Sequence, residues 1–183
     1  MKLTSTLAVA AVAALGCLPA LAQQQGVSKT EILIGTIQDM SGPLAGYGKH
    51  ARNGMLLRID ELNEQGGIHG RKLKLVAEDD GYDPKKAVLA AQKLVNQDKV
   101  FIVAGHLGTA QNMASMPVQF EKNIINFYPI TAAREMYEPL HRLKYSFAAT
   151  YYDQVRLAVP KLAKEKNLKK ICTIYQDDDF GLE

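Results

Sequence analysis

Residues 31–37 (EILIGTI) make a short apolar run rich in β-branched side chains, the pattern of a strand buried on both faces. A turn-rich stretch follows over 38–48, with Ser41-Gly42-Pro43, Gly46 and Gly48. From there to Glu64, Ala51, Met55, Ile59 and Leu62 recur at helical spacing, with Leu56 beside them, and predict one buried stripe. Gly66-Gly67 stops that helix, because residues without Cβ readily adopt the left-handed turn at a helix C-terminus. Residues 72–77 (KLKLVA) alternate and predict a second strand. Asp83-Pro84 opens the next helix: Asp caps free N–H groups and Pro suits the first helical position. Its stripe is Ala87, Val88, Ala91, Leu94 and Val95. A third buried strand over 100–104 (VFIVA), a turn over 105–107, a helix over 109–122 and a strand over 124–128 complete the series.

Strands alternating with helices in this way predict an α/β fold, an open parallel sheet with helices on both faces. The pattern loosens over 131–144, which is charged and contains Pro139. It resumes with a strand over 145–149, a helix over 153–166 and a strand over 170–175. The expected organisation is a first lobe over 27–130, a crossing over 131–144 and the beginning of a second, similar lobe over 145–183. So few elements cannot cover both faces of a parallel sheet, so the second lobe is expected to be truncated.

The N-terminus stands apart from this fold. Met1-Lys2 gives a positive start, 7–15 is an unbroken apolar run, and Ala20-Leu21-Ala22 precedes Gln23-Gln24-Gln25. This is the pattern of a secretory signal peptide over 1–22, too short to span a bilayer, and it predicts export to the periplasm. Leu15-Gly16-Cys17 loosely resembles a lipoprotein processing site, but Ala14 replaces the usual Leu and the Ala-x-Ala site lies downstream. Cleavage after Ala22 removes Cys17 and leaves Cys172 alone, which excludes an internal disulfide. A composition of 47% hydrophobic and 22% charged residues excludes collagen-like, coiled-coil and disordered classes. The net charge of +3 is spread along the chain and does not point to nucleic acid.

Three pieces then occur together: Ser41-Gly42-Pro43 with Tyr47-Gly48, the run 63–70 (NEQGGIHG), and Asp79-Asp80 followed by Asp83-Pro84. Gly105-His106-Leu107 and the stretch 175–181 continue the pattern. Over about 30–183 the chain resembles the leucine/isoleucine/valine-type periplasmic binding proteins, the solute receptors of ABC importers. The resemblance implies a type I periplasmic-binding fold of two α/β lobes that close over a small ligand, an amino acid or related carboxylate or amide. It also implies docking on an inner-membrane ABC permease, and no enzymatic chemistry and no cofactor.

Ligands of open α/β sheets sit beyond the carboxyl ends of the strands. Those ends carry 38–47, 105–109, 128–132 and, in the second lobe, 175–180. Leu107, Gly108 and Thr109 lead into a helix whose free N–H groups suit a carboxylate, with the Thr109 hydroxyl as a further donor or simply a cap. By resemblance, Tyr47 matches an aromatic that packs on ligand, Thr109 the carboxylate-binding hydroxyl, and Ile130 a backbone carbonyl that receives an ammonium. Thr131 adjoins it, Ala132 stands where many amino-acid binders have Thr, and Phe180 falls at a second-lobe Tyr position. The family's first-lobe disulfide positions correspond to Tyr82 and Gly108, so both cysteines are gone together.

Other signals are weaker. Gly46-x-Gly48-x-x-Ala51 fits a dinucleotide pattern, but it lies too far beyond the first strand, and Asp79 too far beyond it, for a nucleotide site. His50, His69, His106 and His141 lack ligand spacing; His106 is a candidate to line the cleft. Asp177-Asp178-Asp179 lacks the EF-hand pattern and reads as a helix-capping loop, so no metal is expected. Ser41 sits in no nucleophile elbow, and Cys172 in its apolar run is expected to be buried and inert. Two alternatives to transport stand beside it: a sensor domain of the same fold, and a Rossmann-type oxidoreductase.

Overall fold

A computed structural model describes residues 24–183. The expected signal peptide over 1–22, with Cys17, lies outside the described residues. The elements, in chain order, are β1 (Glu31–Gln38), α1 (Ala45–Glu64), β2 (Lys72–Asp79), α2 (Pro84–Gln92), β3 (Ile102–Ala104), α3 (Thr109–Glu121), β4 (Ile125–Phe127), β5 (Lys144–Tyr145), α4 (Tyr151–Glu165) and α5 (Asp179–Leu182). The strands form one parallel sheet in the order β2-β1-β3-β4-β5. The α/β class and the parallel arrangement are as the sequence predicts.

The order fixes where the helices lie. From β1 the chain moves one way to β2, then returns past β1 to β3 and continues outward to β4. Right-handed crossovers therefore put α1 on one face and α2 and α3 on the other. Between α2, α3 and the sheet sits the core of Ile37, Ala91, Leu94, Val95, Val100, Val103 and Ile124, all essentially inaccessible. Each such Leu, Ile or Val contributes about 1.5–3 kcal/mol by leaving water.

Local chemistry sets the element ends. The Asp83 carboxylate accepts from the N–H groups of Lys85 (2.8 Å) and Lys86 (3.4 Å), with Pro84 opening α2, as expected. Beyond Gln92 the helix widens into a π-turn over Lys93–Gln97. Gly66 and Gly67, at φ +100° and +75°, terminate α1. At the other end α1 begins at Ala45, earlier than the apolar stripe indicates, because the buried Asp39 carboxylate gathers the amides of Ser41 (3.2 Å), Gly42 (2.5 Å) and Leu44 (2.6 Å) into a tight entry turn.

The end of the chain differs from expectation in two respects. The strand expected over 145–149 is the shorter β5, and it pairs with β4 in the same sheet: Asn126 donates to the Leu143 carbonyl at 2.9 Å and Tyr128 to the Tyr145 carbonyl at 2.8 Å. The first sheet thus takes up a strand after the 131–144 segment, since β4 would otherwise expose a row of unpaired backbone groups. The strand expected over 170–175 does not form, and Cys172 within that run is exposed rather than buried. An apolar run becomes a buried strand only when a neighbouring strand accepts it, and among the described residues none does.

Candidate functional site

The site begins at the point where the sheet's connections diverge. β1 and β3 are neighbours, yet their chains leave in opposite directions, so a crevice opens beyond their carboxyl ends. Gln38 at the end of β1 is fully buried and donates to Thr36 Oγ1 at 2.7 Å and to the Gly105 carbonyl at 2.6 Å. It thereby locks the start of the loop after β3 against β1. The loops after β3 and β4 are joined in turn. Leu107 and Ile130 form a parallel bridge; Ile130 donates to the His106 carbonyl at 2.8 Å and Gly108 to the Ile130 carbonyl at 3.3 Å.

These loops floor a pocket of about 470 Å³, within the range of small-molecule sites. Leu44 and Tyr47 come from the loop and first turn after β1, Tyr82 from the loop after β2, Leu107, Gly108 and Thr109 from beyond β3, and Ile130, Thr131 and Ala132 from beyond β4. Phe147, Ala148, Tyr151, Gln176 and Phe180, all beyond β5, form the facing wall. All eight residues singled out from the sequence thus border one cavity. The sequence reading missed Leu44, Tyr82, Phe147, Ala148, Tyr151 and Gln176. For Tyr82 a signal was present: the family's paired cysteine positions imply that 82 and 108 adjoin. A Cβ built on Gly108 would indeed lie 3.0 Å from Tyr82 Cε2.

Gly108, at φ +97°, caps α3, and a Cβ there would fall 2.1 Å from Gln111 Oε1. Thr109 is therefore not the cap but the first helical residue, and its hydroxyl lies 2.6 Å from that of Thr131. Thr131 Oγ1 also accepts from the Ala133 N–H at 3.3 Å. Either of the two hydroxyls can be the donor of this bond, and both side chains are buried. Asn112 is the first residue of α3 to make a helical bond, to the Gly108 carbonyl at 3.2 Å. The amides of Thr109, Ala110 and Gln111 precede it, where the helix dipole favours negative charge.

His106 does not line the pocket. It lies fully buried beneath it, with Ser115 Oγ 3.3 Å from Nδ1 and Asp80 Oδ2 3.7 Å from Nε2. Burial pushes its pKa down, and Asp80 opposes that shift. This Ser–His–Asp row is sealed from solvent at all three members, so it offers no nucleophile to a substrate. It ties the loops after β2 and β3 to α3, and Asp80 Oδ1 accepts the Tyr82 N–H at 3.0 Å to hold that residue at the rim. The neighbouring Asp79 is exposed to partial burial, which disfavours its charge, but amides of Met40, Gly81 and Ser41 and the Ser41 hydroxyl outweigh this and hold its pKa below the usual carboxylate value.

Gly46 and Gly48 lie inside α1 rather than in a phosphate-cradling turn, and a Cβ on Gly48 would strike the Asp39 carbonyl at 2.0 Å. Gly48 is thus required by close packing, whereas a Cβ on Gly46 would meet open space. Asp178 caps α5, accepting from Phe180 N–H at 2.9 Å and Gly181 N–H at 3.4 Å. Among the described residues no group of His, Cys, Asp and Glu has the arrangement of a metal site, and no helix is long and apolar enough to cross a membrane. A further cavity of about 560 Å³, near Gln25, Glu31 and Lys99, lies at the amino ends of the strands, where no helix N-terminus is directed.

A family model described as Periplasmic binding protein matches residues 31–183. The chain belongs to the periplasmic binding protein family. The Leu/Ile/Val-binding protein of Escherichia coli K12 is similar to it, 29% identical over 166 residues that cover 91% of this chain and 45% of the relative. This periplasmic binding protein chain thus spans under half the length of such curated relatives. Among solved structures, a possible leucine/isoleucine/valine-binding protein from Rhodopirellula baltica matches with a TM-score of 0.77 and 25% identity, covering 83% of this chain and 41% of the other. A fatty acid ABC transporter substrate-binding protein from Thermomonospora curvata matches with a TM-score of 0.75 and 27% identity, covering 87% and 40%. The type I binding-protein fold expected from the sequence is therefore shared with proteins whose names indicate different ligands.

Proposed function

We propose that the chain carries the first lobe, and the start of the second, of a periplasmic solute receptor that serves an ABC importer. In this reading the first lobe runs through β5, the chain crosses over near 146–150, and the pocket is the inter-lobe cleft. The observation that carries it is the composition of the cleft: a floor built by four loops of one sheet, facing a wall supplied from beyond β5. The ligand is a small carboxylate such as an amino acid or a related acid. Its anionic end meets the Thr109 hydroxyl and the first amides of α3, and its body lies between the loops and the wall residues.

The receptor performs no bond chemistry. A ligand that touches both floor and wall binds the closed arrangement more tightly than the open one and shifts the balance toward it. The closed form then docks on the permease in the inner membrane. Titration calorimetry and thermal unfolding of the full-length protein with a panel of small carboxylates test this. A ligand at a hundred times its Kd is expected to add about 2.7 kcal/mol of stability. Absence of binding across the panel, or stabilisation by NAD instead, defeats the proposal.

A further inference from the structure

We infer that Arg134 is a positioning residue of the receptor: standing outside the cleft, it holds the second lobe against the first by joining Glu183 and Tyr152. The inference rests on the receptor reading above, but it concerns how one lobe is held on the other and not the identity of the guest. Neither Arg134 nor Glu183 borders the ligand cleft. Arg134 opens a short helical turn over Arg134–Met136, between β4 and β5 and so within the first lobe. Tyr152, in the first turn of α4, and Glu183, directly after α5, belong to the second.

One residue makes the whole contact from the first lobe. The Arg134 backbone N–H donates to Glu183 Oε1 at 3.1 Å, and Arg134 Nε lies 3.3 Å from Oε1 and 3.4 Å from Oε2. Its guanidinium carbon sits 4.5 Å from the centre of the Tyr152 ring, within the range of a cation–π attraction. Ion pairs whose partners both stay in water contribute little. This pair is of another kind, because the Arg134 side chain is 40% exposed and that of Glu183 only 1%. The Glu183 carboxylate is withdrawn from water, and Arg134 compensates its charge from across the lobe boundary.

The charges around the pair decide its importance. A crevice of about 130 Å³ lies along the seam, bordered by Met113 of α3, Arg134 and Glu135 on one side and by Asp179, Leu182 and Glu183 on the other. Among these residues one guanidinium stands with three carboxylates, contributed by both lobes. Without the guanidinium, like charges oppose one another across the seam and Glu183 is left buried with no cation beside it, a heavily penalised state. Parting the lobes relieves both strains by returning the carboxylates to water. Arg134 thus weights the open–closed balance toward the arrangement in which floor and wall border one cavity. A guest that needs this arrangement binds in proportion to its population.

The experiment is small-angle X-ray scattering of the ligand-free full-length protein, with calorimetry using L-leucine as the probe. Arg134→Met keeps the length of the side chain and removes its charge. It is expected to enlarge the radius of gyration and to weaken L-leucine binding roughly five- to twentyfold, through a smaller closed population. Adding Glu183→Gln to Arg134→Met removes the uncompensated charge and should restore most of the parent radius and affinity, which a general loss of folding would not allow. Raising NaCl to about 0.5 M should also draw Arg134→Met back toward the parent radius by screening the carboxylates. An unchanged radius in Arg134→Met, or no rescue by the second substitution, overturns the inference and leaves the receptor reading standing. If L-leucine and the wider carboxylate panel all fail to bind the parent, the receptor reading falls, and the scattering alone decides whether Arg134 joins the lobes.

Discussion

The hydroxyls of Thr109 and Thr131 lie 2.6 Å apart, from loops that follow different strands, and both residues are buried at the floor of the cleft. One hydroxyl must donate to the other. Thr131 Oγ1 accepts the Ala133 amide and can also donate to Thr109, an arrangement in which the Thr109 proton is free for a ligand carboxylate. Thr109→Val is therefore expected to weaken carboxylate binding by about 1.5–3 kcal/mol, the scale of a hydrogen bond to a charged group. Thr131→Val should produce a smaller loss and Thr131→Ser almost none. Calorimetry on the three variants checks the order; equal affinities throughout would exclude the relay.

Gly108 is a second control point. Its φ of +97° and the 2.1 Å approach of Gln111 Oε1 leave no place for a Cβ. Gln111 meanwhile donates to the Tyr82 carbonyl at 2.8 Å, so moving it disturbs the rim of the cleft. Gly108→Ala is expected to lower unfolding free energy by about 1–3 kcal/mol through backbone strain and the displaced side chain. Urea unfolding measures this, and an unchanged midpoint would contradict it.

Asp39 holds the turn that carries Leu44 and leads to Tyr47. Its two carboxylate oxygens accept from Ser41, Gly42 and Leu44 while the residue is fully buried. Asp39→Ala leaves these amides without their charged acceptor and should cost about 2–4 kcal/mol in stability. Asp39→Asn retains one acceptor oxygen and should cost less. Chemical denaturation of both variants separates the outcomes.

A pH dependence follows from His106. Burial lowers its folded pKa below the ordinary value of 6.5, so in acid the unfolded chain takes up a proton that the folded chain refuses. Its contribution is neutral above pH 6.5. As pH falls below that value, stability is lost by up to about 1.4 kcal/mol per unit until the lowered folded pKa is reached. The groups facing the ring are Asp80 and Ser115. His106→Gln is expected to flatten the slope of unfolding free energy between pH 6.5 and 5, whatever its effect on absolute stability. An unaltered slope would assign the acid sensitivity to another group.

Much of the sheet was legible because its signals are local. EILIGTI needs burial on both faces wherever it sits, and Asp83-Pro84 begins a helix from its own chemistry. What escaped depended on partners. Residues 144–145 join the sheet because β4 offers them an edge, whereas the more apolar 170–175 find none. The eight site residues taken from the resemblance converge on one cavity, but Tyr151 and Gln176 reach it through tertiary placement that no neighbouring residue announces. Thr109 read as a ligand donor with a cap as the alternative; the structure moves the cap back by one residue, to Gly108. His106 sits in a glycine-rich loop, where exposure is the natural guess, and is instead drawn beneath it by Asp80 and Ser115.

The main-chain zipper between Leu107 and Ile130 means that the bottom of the cup is cast before any guest arrives. Adjustment on binding must then fall to the side that carries Phe147, Tyr151 and Phe180. Selectivity by charge would be a fixed property of the floor, while the speed of capture and release would be governed by the opposite bank.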